Sequence, residues 1–160
     1  MIANARWREA VQAALAAGLV LASTAACATL GERRETVEAD RVRLQGERRV
    51  VQAATARLET HVITQADGSR IKEFVAPDGI VFAVSWSTRL KPRLEALLGA
   101  HAPRYAAAAR QSLAAPGIRR NVTLASDDLV VQASVHLNAH VGLAYLRSRV
   151  PEGVNIDELR

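Results

Sequence analysis

Apolar and polar residues alternate with a period of two through much of the chain, and two shorter stretches switch to helical spacing. From Arg57 to Val62 the alternation puts Leu58, Thr60 and Val62 on one face and Arg57, Glu59 and His61 on the other. Ala66-Asp67-Gly68 is a turn signal, Arg70 to Val75 continues as a second strand, and Pro77-Asp78-Gly79 is a second turn, of the type that joins antiparallel strands. Ile80 to Trp86 is apolar on nearly both faces, which predicts a central strand with one face under helices. Helical spacing then takes over. Pro92 suits a first helical position, Leu94, Leu97 and Leu98 form a stripe, and Gly99 closes the segment. A second helix runs from Pro103 to Ala114 with Tyr105, Ala108, Ala109 and Leu113 inward, and Pro116-Gly117 stops it. Arg120 to Ala125 and the stretch from Leu129 onward are strands. From Val131 to Leu143 every odd position is apolar. That run exceeds the average strand of about six residues, so a bend or tight turn is predicted near Asn138.

The ends of the domain read differently. Glu32 to Leu44 is dense in charge, with Val37, Arg41 and Leu44 at helical spacing, Thr36 as the expected N-cap and Gly46 as the stop. Its thin apolar stripe predicts a helix at the domain's edge. Pro151 and Gly153 break the last strand, and Ile156 to Arg160 forms a final helical turn. The elements add up to an α+β fold: an antiparallel, meander-like sheet, two short central helices packed on one face, and an N-terminal edge helix.

The 160 residues are 49% apolar and 4% aromatic, with one cysteine, which leaves no disulfide framework and no Cys-based zinc site within one chain. Residues 1–28 have the layout of an export signal. Arg6 and Arg8 precede an Ala-rich apolar run from Ala10 to Ala22, and Ala26-Cys27-Ala28 is a small-x-small cleavage site. Cleavage there removes Arg6, Arg8 and Glu9, so residues 29–160 carry one unit less than the full chain's +5. The apolar run is too short for a permanent span, which needs about 20 residues, and Gln12 interrupts it. Thr24-Ala25-Ala26-Cys27 also resembles a lipoprotein box, in which Cys27 would be lipidated; ordinary cleavage is preferred because Thr24 stands where that box normally has Leu. No repeat or linker divides residues 29–160, so they are expected to form a single domain.

Several of these segments together resemble the bacterial exported family catalogued as domain of unknown function 2844. The resemblance rests on Glu73 to Gly79, Val81 to Trp86 and Leu94 to Gly99, in that order. Around them stand a Leu-Gly start, an acidic-basic helix and a late Val-Val-Gln strand ending near Ala144-Tyr145. The chain departs from the family's pattern at Ser87-Thr88-Arg89, where Gly-Pro often follows the Trp, and at Ser134-Val135, where a Gly-rich stretch often precedes the late His. What the resemblance implies is export and a compact fold. It brings no catalytic residue.

The residues themselves offer few chemical candidates. His136 and His140 share one face if the strand continues, but they then lie about 13 Å apart at ~3.3 Å per residue, and chelation needs the chain to fold back near Asn138. Ser126-Asp127-Asp128 reads first as a turn, and no G-x-S-x-G elbow is present. His61 and His101 stand alone, and no phosphate loop or dinucleotide fingerprint appears, so no cofactor is expected. Trp86 fits the core better than a binding groove. Charge is the stronger signal. Between Arg89 and Arg120 stand seven cations, including Arg89, Lys91, Arg93, Arg104 and Arg110, and one acid, Glu95. This predicts a positive helical face for an acidic envelope protein or an anionic envelope surface, though an Arg-rich solvated surface gives the same pattern. Nucleic acid is disfavoured, because no stacking aromatics interleave the cations. The expected function is a small, non-enzymatic binding or assembly module of the bacterial envelope. The alternatives are a hydrolase or metal-dependent activity using His136, His140 or Asp127-Asp128, and an assembly factor anchored through Cys27.

Overall fold

The computed structural model describes residues 30–53, 58–113, 121–137 and 139–160. The export signal with Cys27 lies outside them, as do Arg119 and Arg120. A 3-10 turn at Arg34–Thr36 leads into helix α1 (Val37–Arg43). Strands β1 (Glu47–Ala53), β2 (Leu58–Thr64), β3 (Arg70–Val75) and β4 (Val81–Thr88) follow as a meander. Helices α2 (Leu94–Leu98) and α3 (Ala102–Leu113), joined by a 3-10 turn, precede β5 (Asn121–Ser126), β6 (Leu129–His136) and β7 (Ala139–Leu146). All seven strands form one antiparallel sheet in the order β1-β2-β3-β4-β7-β6-β5. The fold is therefore α+β, and the largely apolar strand β4 is the central one, as its pattern predicts. Among the described residues, no helix is long and apolar enough to cross a membrane.

Each face of the sheet buries its own apolar layer. Ile63, Ile71, Val84, Trp86, Val131 and Ala144 face the helices, where they meet Val37, Leu97 and Leu98. Trp86 is core, lying across Gly142 of β7; a Cβ on that glycine would stand 2.2 Å from the ring. The opposite face carries Leu58, Phe74, Phe82 and Leu143 and is covered by the C-terminal segment through Val150, Val154, Ile156 and Leu159. That cover hangs on the final 3-10 turn, Ile156–Leu159, whose Asp157 N–H donates to Asn155 Oδ1 at 3.1 Å. A bulge in β4 lets one strand serve both layers. Phe74 opposes Ala83 but Val75 opposes Val81, so Phe82 is an extra residue that changes which side its neighbours face.

Three expectations need correction. Strand β1 was not anticipated: Glu47-Arg-Arg-Val-Val has no alternation, because an edge strand has solvent beside it and carries charges that discourage further pairing. Thr36 is not an N-cap; its backbone is already helical, and its hydroxyl donates back to the Arg33 carbonyl at 2.6 Å. The thin helix α1 is not merely peripheral, since Val37 and Asp40 are both completely buried. Tyr105 packs on the core as expected, whereas the Leu113 side chain lies outside the described residues.

Candidate functional site

The end of β4 and the loop that follows it place Arg89, Lys91 and Arg93 in solvent, beside the first turn of α2. Arg104 and Arg110 are exposed on α3, and their six-residue spacing sets them about 120° apart around that helix. The three loop cations thus form one group and the two helix cations diverge. Among the described residues none of the five has a carboxylate within ion-pair distance, and Glu95 pairs with none of them. Several of the described acids are matched elsewhere: Glu38 with Arg41 and Arg48, Glu59 with Arg34, Asp78 with Arg149.

Beside the loop cations opens a cleft of about 310 Å³. It lies where the end of α1, the β2–β3 turn and the β4–α2 loop meet over the end of the sheet. Ile71 and Leu97 are its buried floor, with Leu44, Pro92 and Ala96 as half-buried walls. Arg43, Lys91 and Arg93 supply the positive charge. The polar groups on its lining are engaged within the protein. Gln65 Nε2 donates to the Leu44 carbonyl at 3.0 Å and the Thr88 hydroxyl to the Leu90 carbonyl at 2.7 Å. Asp67 accepts from the Ser69 N–H and hydroxyl, both at 2.9 Å, and these bonds hold its carboxyl below the usual range.

Behind the cleft lies a cluster that sequence reasoning missed. Glu73 sits on the helix-facing side of β3 between Ile71 and Val75, wholly buried, and Asp40 of α1 is equally buried against it. Arg43 pairs with Asp40 and reaches the Ala96 carbonyl of α2 at 3.4 Å, so one side chain links the acid pair to the cleft wall. Burial, and then the neighbouring Asp40 charge, push the Glu73 carboxyl up to about 9; burial also raises Asp40. Two ionised carboxylates offer only acceptors, so the pair closes a hydrogen bond only when one of them holds a proton. His61 of β2 is directly opposite Glu73 in register and 3% exposed; desolvation lowers its pKa. Its Nε2 is 2.7 Å from Glu59 Oε1, close enough for an ion pair but without the geometry of a hydrogen bond. The face of β2 that looks polar in sequence, Glu59-x-His61-x-Ile63, is therefore the helix-facing one. The available signal was a glutamate alternating with Ile71 and Val75 on an apolar face.

The histidine and aspartate candidates do not assemble. Strands β6 and β7 form a hairpin with a two-residue turn, placing His136 opposite Ala139 and Val135 opposite His140. Residues of equal parity on the two arms then fall on opposite faces, so the two histidines are separated by the sheet and cannot share an ion. Asp127 and Asp128 form the β5–β6 turn, with Asp127 at φ 49°. Asp128 accepts from the Ser148 N–H and hydroxyl, both at 2.6 Å, and those bonds hold its pKa down. It fastens the end of β7. His101 is half-buried, which lowers its pKa. Among the described residues, no three His, Cys, Asp or Glu side chains converge as metal ligands.

Neither a curated protein nor a solved structure matches the chain. Its buried Leu30 start, the Pro77-to-Gly79 turn before the central strand, the Leu97-Leu98-Gly99 helix end and the β6–β7 hairpin all fall within residues 26–159. That span matches as a whole the family described as "protein of unknown function (DUF2844)", and the chain belongs to this family.

Proposed function

We propose that the protein is an exported, non-enzymatic binding module of the bacterial envelope that meets an anionic partner through its helical face. The observation that carries this reading is the charge imbalance on that face. Arg89, Lys91, Arg93, Arg104 and Arg110 are all exposed and lack an acidic partner among the described residues, whereas Glu38, Glu59 and Asp78 have basic ones. Unmatched cations grouped in the β4–α2 loop, with two more on α3, raise the local concentration of an acidic protein or an anionic surface and steer its approach. Export is supported by the Arg-flanked apolar run ending at Ala26-Cys27-Ala28. Leu30 is 1% exposed and its N–H donates to the Leu97 carbonyl at 3.2 Å, so the chain is fixed into the core two residues beyond that cleavage site.

The test is envelope association of a C-terminally tagged chain, read by in-cell crosslinking and fractionation. Arg89→Glu, Arg93→Glu and Arg104→Glu together are expected to weaken association. Because all three are exposed, the variant should keep its stability within about 0.5 kcal/mol per site. Unchanged association of a folded variant overturns the reading. The same experiment reads the mature N-terminus, and a Cys27→Ala chain that is processed and fractionates normally removes lipid anchoring.

A further inference from the structure

We propose that the cleft beside the β4–α2 loop is a binding site for a single-chain aliphatic anion, with the alkyl chain between helix and sheet and the anionic head at Lys91 and Arg93. The inference rests on the anionic-partner reading and names its chemistry. At about 310 Å³ the cleft is at the small end of ligand pockets. At ~30 Å³ per water-sized group it holds roughly ten such groups, which a chain of about eight to ten carbons fills. Its floor and walls, Ile71, Leu97, Leu44, Pro92 and Ala96, have no polar side-chain atom to offer.

The polar inventory narrows the class. A sugar or a nucleobase needs free donors and acceptors pointing into the site. Here the Ser69 and Thr88 hydroxyls and Gln65 Nε2 are bonded inside the protein, and the Asp67 carboxylate accepts from Ser69, its charge outnumbered in the lining by Arg43, Lys91 and Arg93. What remains for a ligand is positive charge at the mouth and hydrocarbon within. Lys91 and Arg93 carry no ion pair, and Arg43, held on one side by Asp40, presents its remaining edge to the cleft. Leu90, 77% exposed, adds an apolar side chain to the lining next to Lys91 in the chain. Two further cavities differ. One is walled by Arg33, Arg34, Glu35, Glu59 and Asp78; the other mixes Val122, Val141 and Leu143 with Asn121, Thr123 and Gln132, and its cation, Arg160, is already engaged by Gln132 and Asp157.

Isothermal titration of the purified protein with decanoate, decyl phosphate, butyrate and decyltrimethylammonium tests the proposal. Saturable one-to-one binding of decanoate or decyl phosphate is expected, the tighter of the two identifying the head group, with no saturation by butyrate or the cationic amphiphile. Lys91→Glu with Arg93→Glu should weaken binding by at least about tenfold, the worth of a charge-assisted contact. Ala96→Phe, which fills the cleft and leaves its charges alone, should weaken it similarly; if that variant fails to fold, Ala96→Val serves. No saturation by either anion up to about 1 mM, equal binding of the cation, or folded variants that bind like the parent overturns the proposal. If the anions fail while charge reversal still releases the protein from the envelope, the cleft assignment falls and the anionic-partner reading stands.

Discussion

The buried acid pair makes stability depend on pH with a sign opposite to that of most surface carboxylates. Glu73 titrates near 4.5 in an open chain and about 9 in the fold, so between those values the native state holds a proton that the unfolded state has released. Folding then takes up one proton, and stability is greatest below the unfolded value and is lost as pH rises through the folded one. The slope is up to ~1.4 kcal/mol per pH unit. His61 and His101 act in the other direction: their lowered pKa values mean that they bind protons on unfolding as pH falls below about 6.5. The two effects oppose each other between about pH 4.5 and 6.5, and the acid pair acts alone above that. From about pH 6.5 to 8.5 the protein should lose up to ~3 kcal/mol of stability. Glu73→Gln keeps the shape and supplies an N–H to Asp40 without a titrating proton. Urea unfolding at both ends of this window should show the variant nearly flat and more stable than the parent at the alkaline end, with unchanged m-values. A parent with no alkaline decline, or a Glu73→Gln protein with the same decline, refutes the shared-proton account.

Two packing changes test the layers on either side of the sheet. Gly142→Ala drives a methyl into the Trp86 ring and toward the Gln132 carbonyl, which a Cβ would approach to 2.6 Å, so a loss of about 1–3 kcal/mol or more is expected in thermal melts. Leu159→Ala uncovers the Phe74–Phe82 layer, whose rings are 6.4 Å apart, and should cost about 2–3 kcal/mol while leaving binding at the helical face unchanged.

What could be read from the chain depended on whether local signals and tertiary demands agreed. Strand β3 is bounded by two Asp-Gly turns, and its predicted limits, Arg70 and Val75, are those observed. Strand β4 shows its central place because both of its faces are apolar. The β6–β7 run announced a turn near Asn138, but not its consequence, since the parity of a hairpin depends on loop length by a single residue. Strand β1 was invisible because an edge needs no buried face, and the Val50-Val51 pair is half exposed on both sides of it. The candidate site divided the same way. A surplus of cations is a matter of counting, whereas the cleft beside them exists only because α1, the β2–β3 turn and the β4–α2 loop converge from three parts of the chain. The acid pair was missed because each carboxylate lies in a segment rich in ordinary surface charge; only helix and strand together show that Asp40 and Glu73 share one buried place.

Strand order also dictates when the molecule can close. The inner edge of β4 waits for β7, more than fifty residues later in the chain, and Leu159, which covers the far face of the sheet, comes later still. A chain emerging from its N-terminus can therefore build β1 to β4 as a half-sheet with an open edge and one bare apolar face, but it cannot finish. Until the Ile156–Leu159 turn docks, Phe82 and Leu143 lie uncovered, a surface suited to chaperone capture or to aggregation.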